Sequence, residues 1–99
     1  MKLMVFWQLH PDKRHDVFSA FAGMDLADYQ SLQGPNVTMI GRWHDVMNGT
    51  GVAIVDTDDA EALSKWLMNW HSVADYDTVP VLNDEEAHAL CRQAVEAGY

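Results

Sequence analysis

Arg42 and His44 stand two residues apart in Gly41-Arg42-Trp43-His44-Asp45, and Gln8 and His10 repeat that spacing near the start of the chain. Residues two apart in a strand share a face, so each pair would project to one side. The groups offered are a guanidinium that can hold a carboxylate or an enolate and an imidazole that can move a proton near neutral pH. Such tools suit an isomerisation, or an oxygenation in which the substrate supplies the reactivity, with His44 or His10 as base and Arg42 holding the anion. No nucleophile motif, phosphate loop or dinucleotide fingerprint occurs, so no cofactor is expected. A metal held by His10 and His44 would need a third ligand such as Asp45 or Asp77. With neither an H-x-H pair nor a helical H-x-x-x-H, none is expected.

The elements that position these groups are legible from pattern. "KLMVFWQLH" (2–10) is a β-branched and aromatic run closed by Pro11, which predicts a first strand. Leu3, Val5, Trp7 and Leu9 make one face, and Met4, Phe6, Gln8 and His10 the other. Pro11 and Asp12 open a helix whose Val17, Phe18, Phe21 and Ala22 recur at helical spacing, stopping near Gly23. A longer connection follows, with a second helical stretch through Leu26 and Tyr29, ending at Gly34-Pro35-Asn36.

"VTMIGRWHD" (37–45) and "GVAIVDT" (51–57) flank Asn48-Gly49, a strong hairpin signal because both residues tolerate positive φ. A two-residue loop pairs Met47 with Thr50, His44 with Ala53, Trp43 with Ile54 and Arg42 with Val55. Trp43, Val52, Ile54 and Met39 then suit packing under helices, and Arg42 and His44 share the other face with Ala53 and Val55. A bulge at Gly51 would change that phase. Asp58 and Glu61 resemble a capping box before the stripe Leu63, Trp66, Leu67, Trp70 and Ala74. "YDTVPVL" (76–82) predicts a fourth strand with Pro80 at an edge. Asn83 and Glu86 cap a last helix with Ala87, Leu90, Cys91, Ala94 and Val95 on one side.

The order βαββαβ plus a terminal helix predicts an α+β, ferredoxin-like fold in one domain over 1–99: a four-stranded antiparallel sheet with helices on one face. The other face, carrying Met4 and Phe6, would be apolar and uncovered, which predicts a homodimer closed face to face. A candidate ligand pocket then lies between sheet and partner, built from Phe6, Gln8, His10, Arg42, His44, Ala53 and Val55. The plain alternative for Arg42 and His44 is a charged edge strand that discourages pairing. His71 is read as a helix-end residue, His15 and His88 as solvent-facing, and Cys91 as a small core residue.

Fifteen acidic against six basic residues, a net charge of −9, disfavour nucleic acid as a partner. The acidic runs Asp56 to Asp59 and Asp84 to Glu86 sit at helix starts and lack calcium-loop spacing. No apolar run approaches a membrane span and no signal-peptide pattern is present, so a cytoplasmic protein without membrane contact is expected.

The stretches "MKLMVFWQLHP", "GRWHD" (41–45), "VDTDDAEAL" (55–63), Trp66, "NWHSVADYDTVPVL" (69–82) and "NDEEA" together resemble a family of small, mainly bacterial single-domain proteins of unknown function in the dimeric α/β barrel superfamily. The resemblance spans most of residues 1–87. It implies a ferredoxin-like fold and a homodimer and supplies no activity, since the wider superfamily ranges over cofactor-independent monooxygenases, lactone isomerases, haem-handling proteins and ligand-sensing domains. Three readings follow: a homodimeric protein binding a small hydrophobic or carboxylated ligand, a cofactor-independent monooxygenase or isomerase, and a structural or interaction module.

Overall fold

A computed structural model describes residues 1–99. In chain order it contains β1 (Lys2–Leu9), a 3-10 turn (Pro11–Lys13), α1 (Arg14–Gly23), α2 (Leu26–Gln30), β2 (Thr38–Asp45), β3 (Thr50–Asp56), α3 (Ala60–Met68), β4 (Ala74–Pro80) and α4 (Asp84–Glu96). The strands form one antiparallel sheet in the order β2-β3-β1-β4, the ferredoxin-like arrangement expected. Pro80 lies on β4, an edge strand, where a missing N–H costs no ladder bond on the outer side. No helix is long and apolar enough to cross a membrane.

Strand pairing explains the core. Leu3 faces Val55 and Val5 faces Ala53 across β1 and β3, and Leu9 faces Ala74 on β4. These side chains alternate to one side, where Leu63, Trp66 and Leu67 of α3 pack on Leu3, Val5, Val37, Ala53 and Val55. Val5 and Val55 are almost wholly enclosed, and each such burial stabilises the fold by roughly 1.5–3 kcal/mol. Thr57 fixes the entry to α3: its hydroxyl donates to the Asn36 carbonyl at 2.8 Å and accepts from the Asp59 N–H at 3.0 Å. The helix cap is therefore Asp59, accepting from Ala62 N–H, one residue later than Asp58 as expected from the capping pattern.

Two features of the β2–β3 hairpin differ from expectation. Asp45, not Met47, faces Thr50, so the loop holds four residues, Val46 to Gly49. The Asp45 carboxylate accepts the Asn48 N–H at 3.2 Å and its side-chain amide at 2.8 Å, and Gly49 takes φ +68°, which together favour the wider turn. The irregularity in the ladder lies between Met39 and Gly41 rather than at Gly51. Because the loop change moves the pairing by two residues, Arg42 still shares a side with Ala53.

That shared side is the helix-covered one, opposite to expectation. Arg42 faces Ala53 and His44 faces Gly51, while Trp43, Val52 and Ile54 join Met4 and Phe6 on the uncovered side. Trp43 is 62 % exposed there and lies over Gly41, whose missing side chain leaves it room. The small Ala53, completely buried, packs with Trp66 in the core.

The molecule is elongated, 53 × 29 × 19 Å. α4, about 20 Å long at 1.5 Å per residue, buries none of its residues. Cys91 is exposed on it rather than a core residue, because α4 places none of its side chains in the core.

Candidate functional site

Gly51 is the root of the site. Trp7 on β1 and His44 on β2 both face it across the ladder, and a Cβ at Gly51 would collide with the Trp7 indole. Glycine therefore lets the indole lie across the sheet, where its ring meets His44 edge-on with centroids 5.4 Å apart and planes at 67°. The connection after β1 brings α1 and α2 over this end of the sheet. Phe21 of α1 lies 5.4 Å from the His44 ring, and Tyr29 of α2 packs edge-on against Phe21 at 4.7 Å. The Arg42 guanidinium sits over the Tyr29 ring, 4.2 Å from its centroid.

Between these groups is a cavity of about 300 Å³, bounded by the sheet, α1, the β2–β3 loop and the turn after α3. Six of the ten aromatic residues of the chain line it: Trp7, Phe18, Phe21, Tyr29, Trp70 and Tyr76. His44 and Asp45 bring polar groups to its wall. A separate void of about 30 Å³ shares the walls Trp7, Tyr29, Trp70 and Tyr76 with it and is lined on its other side by Arg42. An apolar chamber with few polar groups is the usual form of a small-ligand site.

Charge states follow from the surroundings. Desolvation by the packed rings, reinforced by the nearby Arg42 charge, holds the His44 imidazole below its ordinary pKa. Burial pushes the Tyr29 phenol up, against the opposing pull of Arg42, and burial also raises Tyr76, with Tyr29 adding to it. At neutral pH the chamber wall thus carries a neutral imidazole, two protonated phenols and the Asp45 carboxylate, with the Arg42 cation at the neighbouring void. Arg42 takes part in none of the four ion pairs of the chain, although fifteen carboxylates are present in the sequence.

The structure divides the sequence-predicted set. Arg42 and His44 share the helix-covered side of β2, His44 lining the cavity and Arg42 the adjacent small void. Ala53 and Val55 share their face but are sealed in the core under Trp66, without access to the chamber. Phe6 and Gln8 lie on the opposite, uncovered face, paired with Val52 and Thr50. His10 leaves the strand and engages Asp75, Nε2 to Oδ1 3.1 Å. Within the chain, the cavity that His44 lines lies between the sheet and its own helices.

His71 bonds back to the end of α3, its Nδ1–H donating to the Met68 carbonyl at 2.8 Å, in keeping with a helix-end role. His15 and His88 are exposed on α1 and α4. Sequence reasoning missed all six aromatic wall residues, Trp7, Phe18, Phe21, Tyr29, Trp70 and Tyr76. Their signal was the grouping of Trp7, Phe18, Phe21 and Tyr29 on elements flanking one strand end, with Gly51 opposite Trp7 to make space.

Comparison with curated proteins finds none that matches. The family described as a domain of unknown function (DUF3303) matches residues 1–95, and the chain belongs to that family.

Proposed function

We propose that this protein binds a small, mainly apolar ligand, an aromatic carboxylate being the class that fits best, in the chamber between β1, β2, α1 and α2. The observation that carries the reading is Arg42: a cation stacked on Tyr29, an aromatic wall of the chamber, beside a small void that shares that wall, and joined to no carboxylate of a strongly acidic chain. The rings would hold the apolar body of the ligand and the guanidinium its carboxylate, in a setting where partial desolvation strengthens a charge-assisted bond. A volume of about 300 Å³ suits one or two rings.

Calorimetric titration with phenylacetate and with the uncharged phenylacetamide tests the proposal. The acid should bind at least ten-fold tighter than the amide to the unaltered protein, and Arg42→Met, which keeps the stem over Tyr29, should abolish that preference. Absence of binding by both compounds, or an unchanged preference in the variant, would overturn it.

A second reading is favoured by His44. An imidazole kept neutral at pH 7 beside a cation could take a proton from a ligand whose developing anion Arg42 stabilises, the arrangement an isomerase or a cofactor-independent oxygenase would use. Exchange of the benzylic hydrogens of phenylpyruvate, which enolises readily, with deuterated water, followed by NMR, should then be accelerated by the protein and lose that acceleration in His44→Ala. Equal exchange with and without the protein removes this reading.

The uncovered sheet face supports homodimerisation as a separate part of the proposal. Phe6, Trp43 and Val79 are 45 %, 62 % and 44 % exposed on one side of a four-stranded sheet, a patch that a monomer rarely leaves in water. A second copy placed face to face would cover it, as in the dimeric barrel the sequence resembles.

A further inference from the structure

We infer that α4 is an arm that packs against a second copy of this chain, extending the contact made by the uncovered sheet face; the inference rests on the dimer reading above. Ala87, Leu90, Cys91 and Ala94 recur at the three and four spacing of one helix face, with Val95 adjoining. Within the chain the larger residues of that stripe stay open: Leu90 is 53 % and Val95 73 % exposed, Ala87 and Ala94 are half-buried, and no residue of α4 is buried. A helix of 13 residues is marginal by itself in water even when well capped, so its apolar stripe is where packing must supply stability.

The position of its root selects the occupant. Glu86 in the first turn accepts from Lys2 Nζ at 3.3 Å, and Lys2 alternates with Met4 and Phe6 to the uncovered side of β1. An exposed pair of this kind adds little energy, but it marks the side of the sheet from which α4 departs. A partner on the sheet face would therefore meet α4 as well, and a two-fold axis would give each protomer one arm to place on the other.

Interface size points the same way. Four strands about 4.8 Å apart and seven or eight residues long present a footprint of roughly 480 Å², short of the roughly 800 Å² per partner that a stable specific interface takes. A helix about 20 Å long and 10 Å wide adds about 200 Å². Sheet face and arm together approach the usual area, and the sheet alone does not.

Sedimentation equilibrium on the full chain, with Trp43→Glu and with Leu90→Asp/Val95→Asp, separates the two parts. The altered side chains are all exposed, so circular dichroism should report an intact sheet in each. The unaltered chain should be a dimer, and the α4 double variant should dissociate at least ten-fold more readily. Hydrogen exchange should show α4 amides protected at high protein concentration and exposed on dilution. A dimer whose affinity is the same in the α4 variant, with α4 exchange independent of concentration, overturns the arm and leaves the sheet-face reading standing. Weakening by the α4 change but not by Trp43→Glu supports the arm and removes the sheet face. A monomer at all concentrations overturns both, and an α4 that then captures a different protein would not restore the inference.

Discussion

Arg42 and Tyr29, thirteen positions apart and on different elements, are stacked with the guanidinium carbon 4.2 Å from the ring centroid. The contact pins the short α2 helix to the edge strand β2, since α2 buries no residue of its own. A ring face, not a hydroxyl, is what the cation needs. Tyr29→Phe should therefore change stability by less than about 0.5 kcal/mol, whereas Tyr29→Ala should cost about 2 kcal/mol through lost packing and cation contact. Urea unfolding of both variants checks the difference; equal losses would mean that the phenol oxygen holds α2.

Gly51 should be intolerant of any side chain for a reason that can be relieved. A Cβ there meets the Trp7 indole, so Gly51→Ala should destabilise by about 1–3 kcal/mol through overpacking. Trp7→Leu removes the obstruction at the cost of cavity wall, and the double variant should be more stable than the sum of the two single losses. A double-mutant cycle showing simple additivity would place the cost in the Gly51 backbone instead.

The cap of α4 offers a more local measurement. Asn83 accepts the Glu86 N–H at 2.9 Å, and Glu86 accepts the Asn83 N–H at 3.1 Å, a complete capping box. Asn83→Ala should cost about 1 kcal/mol of helix stability. The loss should appear as reduced helical circular dichroism and faster amide exchange confined to residues 84–96. Spread of the effect into the sheet would contradict the exposed state of α4.

Much of this architecture was written in the sequence. Alternation in Leu3, Val5, Trp7 and Leu9 named the core face of β1, Asn48-Gly49 located the hairpin, and Asn83 with Glu86 located the start of α4. What period-two alternation cannot give is which side of one strand meets which side of the next. Arg42 and His44 were grouped by polarity with Gln8 and His10, but Ala53 pairs with both Val5 and Arg42 and so carries the arginine to the helix side. A guanidinium tolerates that side because a tyrosine face receives it. Tyr29 came from a connection whose length and composition suggested little beyond a turn of helix, and Cys91 read as core because periodicity cannot show whether an amphipathic face is covered from within the chain.

His44 should reveal its surroundings in solution. Burial first and the Arg42 charge second hold its pKa below the ordinary histidine value, so the folded chain protonates at lower pH than the unfolded one. The resulting stability is fully present above about pH 6.5 and declines as pH falls through the unfolded value toward the depressed folded one. The imidazole proton resonances of His44 should titrate with a midpoint below 6.5, and Arg42→Met should raise that midpoint without restoring it fully, because desolvation remains. His44→Phe should remove the corresponding part of the acid-side loss of stability, read by urea unfolding at several pH values against the unaltered chain so that the other four histidines cancel. Phenylacetate bound at Arg42 would offset the guanidinium charge and place an anion beside the ring, moving the His44 midpoint upward, whereas phenylacetamide should not. A midpoint at or above 6.5 in the free protein would contradict the desolvating contact of Trp7 and Phe21 with the partly open His44 ring, and an upward shift with the amide as large as with the acid would separate His44 from any anion held by Arg42.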